Sequence, residues 1–206
     1  VSGVDANNLA SINDALNDAD VTGAQADTAA KVQAIVDGYN AILGNADGVA
    51  NNAANPTQAN YAAIGVNGVD TAQEVTLLGD VIDAKATADV NTTVKVQALA
   101  DAVQAVMNGN ASQVQLEALG ITGVTTANLS SVQAALAAAV DATELNTQAG
   151  VQTVVTDAIN ALAAIKAAAD SNNATASTPS AAQYDALGVS GVDANNLASI
   201  NDALND

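Results

Sequence analysis

The stretch VSGVDANNLASINDALND occupies Val1–Asp18 and returns, residue for residue, at Val189–Asp206. Eighteen identical residues in two places mark a repeat, and the offset, 189 − 1 = 188, is its period. An internal period is read first because it fixes the architecture. The opening of this landmark also recurs in weaker form. It reads VSGVD at Val1–Asp5, VNGVD at Val66–Asp70, ITGVT at Ile121–Thr125 and VSGVD at Val189–Asp193. Its second valine falls at Val4, Val69, Val124 and Val192, in steps of 65, 55 and 68 residues. Three degenerate modules therefore make one period, with loops of varying length between persistent helices.

Each module reads as three helices. Upstream of the landmark, Tyr61, Ile64 and Val66 match Leu116, Leu119 and Ile121, then Tyr184, Leu187 and Val189. Gly65, Gly120 and Gly188 follow the last helical residue, where a left-handed cap favours glycine. Pro56 and Pro179, five residues before the tyrosines, are expected in the first turn of this helix one. Downstream, Leu9, Ile12 and Leu16, then Val75, Leu78 and Ile82, then Leu129, Val132 and Leu136 lie at i, i+3, i+7. That spacing is one face of a helix and cannot be one face of a strand. Asp5, Asp70 or Thr71, and Thr125 or Thr126 stand where N-caps of helix two belong. Helix three starts near a Val-Gln pair, at Val32–Gln33, Val96–Gln97 and Val151–Gln152. Its stripes run through Ile35, Val36, Tyr39, Ile42 and Leu43, through Leu99, Ala100, Val103, Val106 and Met107, and through Val154, Val155, Ala158, Ala161 and Leu162. Ile159 and Ile165 suggest a longer third copy. Val21, Val90 and Leu145 are expected to pin the preceding loops to the core, and the three tyrosines face it.

The expected fold is all-α, with tandem three-helix bundle modules arranged end to end as an elongated rod. The modules would be a partial one at 1–50 (helices two and three), complete ones at 51–110 and 111–174, and a partial one at 175–206 (helices one and two). Gly44–Pro56 and Ser171–Pro179 read as linkers rich in Asn, Ala, Ser and Gly, and Asn108–Ser112 as a short junction. At about 55–65 residues a module is near the lower size limit for folding alone, so contact with its neighbours would add stability.

Composition narrows the function. Half the residues are apolar but only 1% are aromatic, so the core is built from Ala, Val and Leu. Four lysines face 22 acids for a net charge of −18, and arginine and histidine are missing. Phosphate neutralisation needs Lys or Arg, which disfavours nucleic-acid partners. Anionic membranes repel such a surface, and no apolar run reaches spanning length, so no membrane insertion is expected. Without Cys there are no disulfides or thiolate metal sites. The chain starts at Val1 inside a repeat, so targeting signals are expected outside it.

No catalytic, cofactor-binding or metal-ligating residue is assigned, and an enzyme is not expected. Acid–base and nucleophilic schemes recruit His, Cys, Lys or a buried carboxylate pair. The acid pairs Asp14/Asp18 and Asp80/Asp83 lie one helical turn apart and read as solvated faces. Asn17-Asp18-Ala19-Asp20 and Asn45-Ala46-Asp47-Gly48 offer clustered oxygens that a calcium ion would use. Leu43 stands at the first ligand position of the second cluster and no acid near its twelfth, so caps and turns explain both, and no cofactor is expected. The sequons at Asn91, Asn110, Asn128 and Asn173 are explained by composition and capping. Lys31 and Lys95 are expected near the bundle surface.

The run YAAIGVNGVDTAQEVTLLGDVIDA…TTVKVQALADAVQAV resembles the GA-type module of bacterial surface proteins. The shared features are a short helix ending in (Y/L)-x-x-(I/L)-G-V, a second helix, a brief loop and a third helix on V-x-x-L/I-x-x-x-V. The resemblance covers nearly the whole chain in about three copies. Some members bind serum albumin through helix two and its flanks, and others resemble stalk repeats of very large secreted RTX- and biofilm-type adhesins. The acidic, arginine-free array fits the stalk better, since its helix-two surfaces carry almost no Lys. The resemblance thus implies a structural spacer in an extracellular or cell-surface bacterial adhesin. The other reading is a module that recognises a host or matrix protein through helix two. Expected partners are neighbouring repeats of the same chain and, at incomplete modules, head-to-tail copies of it.

Overall fold

The structure is a computed structural model and describes residues 1–49, 54–139, 143–171 and 178–205. Among these residues it is all-helical, with ten α-helices, two short 3-10 turns and one isolated bridge between Asp47 and Ala86. The chain divides into two compact units, Val1–Gln104 with Asn146–Gln148, and Ala105–Leu145 with Ala149–Asp206. Residues of the expected modules 1–50 and 51–110 share the first unit.

That unit begins with helix two, α1 (Leu9–Leu16), and helix three, α2 (Ala29–Asn45). The backbone turn of α1 starts earlier, at Asp5, whose carbonyl accepts from Leu9 N–H at 3.0 Å and whose carboxylate accepts from Asn7 N–H at 2.7 Å. Asp5 thus caps the turn that leads into α1, three residues ahead of the expected role, since the N-cap of α1 itself is Asn8. Next come helix one, α3 (Gln58–Ala63), helix two, α4 (Ala72–Asp83), and the start of helix three, α5 (Thr93–Met107). Here Thr71 is the cap, accepting from Glu74 N–H, while the Glu74 carboxylate reaches back to Thr71 N–H at 2.8 Å. This capping box needs one residue more than the Asp5 version.

Most of each helix-three stripe is core: Ile35, Val36, Tyr39 and Ile42 in α2, and Val96, Leu99, Ala100, Val103 and Val106 in α5 are buried, while Leu43 and Met107 at the ends of the stripes are half-buried. Val21 and Val90 are buried under the 3-10 turns at Gly23–Gln25 and Thr87–Asp89. Leu9 departs from its stripe and is exposed. The linker expected from Gly44 also starts late. Gly44 and Asn45 are the last turn of α2, and Asn45, buried, donates its amide to Gly79 carbonyl at 2.8 Å. That bond holds the chain against α4 where composition alone suggested loop. Residues 50–53 and 172–177 of the two linkers lie outside the described residues.

In the second unit helix one, α6 (Gln113–Ala118), leads to helix two, α7 (Leu129–Ala138), and helix three, α8 (Gln148–Ser171). Helix one, α9 (Ala181–Asp185), and helix two, α10 (Leu197–Asn205), follow. At 24 residues α8 is the longest of the helix threes, as its extra isoleucines suggest, and Ala168 near its end is buried. Leu145, Val151, Val155, Ala158 and Ala161 are buried, and Val154 and Leu162 of the expected stripe are half-buried.

Every copy of helix one ends on a left-handed glycine, at Gly65, Gly120 and Gly188. The next N–H bonds back across the glycine, from Val66 to Tyr61, Ile121 to Leu116 and Val189 to Tyr184, at 2.9–3.0 Å. Those bonds saturate the last carbonyls of the helix. The prolines sit elsewhere than expected. Pro56 and Pro179 precede the N-caps Thr57 and Ser180 instead of entering the first turn. A hydroxyl accepts from the third helical N–H and a pyrrolidine ring does not, so the residue after the proline is the one that starts the helix.

Tyr39, Tyr61 and Tyr184 are buried, as their core-facing positions predict. Tyr184 hydroxyl donates to Asn201 Oδ1 at 2.8 Å. Among the described residues Tyr61 hydroxyl has no hydrogen-bond partner. The α4 residue at the Asn201 position is Gly79, and the space above it is taken by the Asn55 side chain. Removing the orphaned hydroxyl, Tyr61→Phe, is expected to be neutral or to stabilise by up to about 1 kcal/mol, whereas Tyr184→Phe costs about 1 kcal/mol, read by urea unfolding. Burial also raises the pKa of all three phenols; at Tyr39 the nearby Thr93 hydroxyl opposes this and the Asp14 and Asp18 carboxylates add to it. The folded chain therefore keeps these groups neutral above about pH 10, where free tyrosine ionises. This contribution to stability is full below that pH and is lost as pH rises toward the higher folded-state values. The Tyr61→Phe chain should lose less stability in that alkaline range.

Candidate functional site

The chemistry that recurs here is a backbone clamp. At three of the landmarks the glutamine of the Val-Gln pair lies beside the second landmark residue and makes two hydrogen bonds to its backbone. Ser2 N–H donates to Gln33 Oε1 at 2.7 Å, and Gln33 Nε2 donates to Ser2 carbonyl at 3.0 Å. Asn67 and Gln97 repeat this at 2.8 and 3.1 Å, and Thr122 and Gln152 at 2.8 and 3.2 Å. The other amide hydrogen is held one helical turn on, by Asp37, Asp101 and Thr156. A carboxamide has one donor and one acceptor side, so it mimics a neighbouring strand where a carboxylate or amine would not.

In these three landmarks the glycine, with positive φ, brings its backbone against helix three seven residues beyond the glutamine. A Cβ on Gly3 would sit 3.2 Å from Asn40, one on Gly68 3.2 Å from Gln104, and one on Gly123 3.3 Å from Ile159. An asparagine then brackets the turn. Asn8 accepts from Asp5 N–H and donates to Gly3 carbonyl, and Asn128 and Asn196 do the same for Thr125 and Gly123 and for Asp193 and Gly191.

Helix-two carboxylates reach further along the chain. Asp14 of α1 accepts from Thr93 N–H, the first residue of α5, at 2.7 Å, and Ser11 donates to Asn91 carbonyl at 2.9 Å. Asp80, at the same place in α4, accepts from Gln148 N–H, the first residue of α8, at 2.7 Å. A negative group at a helix N-terminus satisfies free donors and opposes the helix dipole favourably. Lys31 and Lys95 fold back onto the carbonyls of Ala24 and Ala88 at 2.7 and 2.6 Å, one in each 3-10 turn. Lys31 also pairs with Asp27 at 2.8 Å, an exposed pair of small worth.

The residues weighed for chemistry fall into these structural roles. In the first calcium candidate, Asp18 accepts from Asp20 N–H and Asp20 from Asn67 Nδ2; in the second, Asn45 is turned to Gly79 carbonyl and Asp47 accepts from Val49 N–H. The pairs Asp14/Asp18 and Asp80/Asp83 are split between helix capping, turn bonding and, for Asp83, burial. Of the sequons, Asn128 brackets a turn, Asn91 accepts from Lys95, and Asn110 N–H closes the end of α5 on Ala105 carbonyl. Asn173 lies outside the described residues. Pattern reading missed the clamping glutamines and the capping Asp14 and Asp80, although the fixed place of each in its helix was available as a signal.

Two of the grooves among the described residues carry three carboxylates each. One in the second unit, of about 580 Å³, has Glu144, Asp157 and Asp185 among alanines and Thr153. One in the first, of about 260 Å³, has Asp18, Asp20 and Asp101 beside Thr93 and Gln97. Both present carboxylates without a cation or nucleophile to work against. Among the described residues no group of three or more His, Cys, Asp or Glu is arranged to hold a metal ion, and no helix is long and apolar enough to cross a membrane. Comparison with protein-family models, with curated proteins and with solved structures yields no match, so function is argued from the chain's own residues.

Proposed function

We propose that the chain is a run of structural repeats that acts as a spacer stalk in an extracellular bacterial adhesin or surface fibre. The observation that carries this reading is the return of Val1–Asp18 at Val189–Asp206, with the glutamine clamp rebuilt at Gln33, Gln97 and Gln152 between them. A spacer needs the same junction many times over and needs no reactive group at any of them. The acidic surface keeps such an array soluble, and the resemblance to GA-type modules supplies the extracellular setting.

The other role, recognition of a host or matrix protein through helix two, has little surface to use in α4. Of its twelve residues, Ala72 and Thr76 are exposed. A spacer must lengthen with each period. Small-angle scattering on chains of one, two and three 188-residue periods should give a maximum dimension that rises in proportion to their number. A dimension growing only as the cube root of mass would show compact packing and end the stalk reading.

A further inference from the structure

The second landmark differs from the others in one chemical respect. Its second residue is Asn67, followed by Gly68, where the other landmarks have Ser2-Gly3, Thr122-Gly123 and Ser190-Gly191. Asn67 is exposed. Its Nδ2 donates to Asp20 Oδ2 at 2.9 Å and to Gly65 carbonyl at 3.1 Å, which joins the landmark to the turn after α1. Gln97 holds the Asn67 backbone through its N–H and its carbonyl. Gly68 N–H stands outside this network and makes no hydrogen bond among the described residues. Gly68 has φ +74°, and a Cβ on it would meet the end of the Gln104 side chain, at 3.2 Å, a neighbour that can swing aside. A second Asn-Gly pair, Asn108-Gly109, also has an exposed asparagine. There Gly109 N–H is tied to Val106 carbonyl at 3.0 Å, and a Cβ would meet the backbone of Ala137 at 2.8 Å. The first pair has a free backbone nitrogen with room to turn, and the second does not.

We propose that Asn67 is a site of self-modification, at which the Gly68 nitrogen closes on the Asn67 side chain to form a cyclic imide with loss of ammonia. The Gly68 nitrogen gives its proton to hydroxide and forms a bond to Asn67 Cγ. The Cγ–Nδ2 bond breaks, and Nδ2 takes up a proton from water and leaves as ammonia. Water then opens the ring. Opening at Cγ gives aspartate at position 67, and opening at the main-chain carbonyl gives its isoaspartyl isomer, whose backbone is one carbon longer. One amide and one water are consumed, and one carboxylic acid and one ammonia are formed. Glycine suits the second position because no Cβ blocks the approach. The hydrogen bonds of Asn67 slow the closure without preventing it, since solvent reaches them and water replaces them at small net cost. Either product exchanges the donating amide for a carboxylate, so Asp20 and the Gly65 carbonyl, both acceptors, lose their donor. The seam between the second landmark and the turn after α1 is thereby opened, and the isoaspartyl form also displaces the backbone that Gln97 holds. A new chain has this seam closed and an aged chain has it open. The inference rests on this dipeptide and its neighbours and stands independently of the stalk reading.

Ageing of the full-length chain in mildly alkaline buffer tests it, followed by peptide mass mapping and by enzymatic methylation of isoaspartyl residues. Asn67 should convert at least about fivefold faster than Asn108, the factor for breaking one backbone hydrogen bond. In urea the two pairs should convert at similar rates, because neither nitrogen is then held. Asn67→Ser, which installs the residue of the first and fourth landmarks, should abolish ammonia release at this site and keep the helical signal. Asn67→Asp, the mimic of one product, should lower the folding equilibrium constant by about tenfold, the loss of two hydrogen bonds. An Asn67 that stays intact in the folded chain while it converts in urea overturns the proposal, as does conversion of Asn108 at an equal rate. A preference for Asn67 that survives in urea places its cause in the local sequence and overturns the structural argument. An Asn67→Asp chain as stable as the unaltered one overturns the opening of the seam.

Discussion

Gly109→Ala is expected to destabilise the second unit by roughly 2–5 kcal/mol, the sum of a left-handed backbone and an overpacked contact. Gly109 closes α5 with φ +64°, donating to Val106 carbonyl while Asn110 N–H reaches Ala105 carbonyl. A Cβ there would lie 2.5 Å from Ala137 Cβ, 2.8 Å from its Cα and 2.9 Å from its N. The obstacle is the backbone of α7, which cannot swing aside as a side chain does. The two parts separate by a second substitution. Ala137→Gly in the Gly109→Ala chain removes the nearest atom and should recover part of the contact cost, leaving the φ cost of about 1–2 kcal/mol. Urea unfolding read by a probe in α7 measures both, and a loss below about 1 kcal/mol for the single change would refute the close approach.

Two glycines in α2 should respond with opposite signs. Gly38→Ala is expected to cost about 1–3 kcal/mol, because its Cβ would meet Asn60 carbonyl of α3 at 2.7 Å and Ile64 at 3.3 Å. Helix propensity favours alanine by only about 1 kcal/mol and does not offset this. Gly44→Ala has nothing within 4 Å and should stabilise by up to about 1 kcal/mol. The pair is its own control, since both changes add one methyl to one helix. Equal effects of either sign would mean that α2 and α3 do not meet at Gly38.

How much of this was legible follows from the range over which each rule acts. The helix caps were readable because a cap acts within one turn. Asp5, Thr71 and the glycines Gly65, Gly120 and Gly188 sit where local chemistry demands them. The core stripes were readable because i, i+3, i+7 spacing builds a face before any partner arrives. Pro56 and Pro179 were expected too far into the helix because the hydroxyl after each is the stronger starter. Gly44–Asn45 looked like linker because composition cannot show that Gly79, 34 residues on, offers a carbonyl.

The sequence by itself determined the period, the order and type of the helices, most of their caps and most of their buried faces, since all of these are set by residues within a few positions of one another. Tertiary structure decided which faces meet. A glutamine on a helix surface is unremarkable until a landmark 30 or 31 residues upstream lies beside it. Asp14 looks solvated until the first N–H of α5, 79 residues away, turns to it.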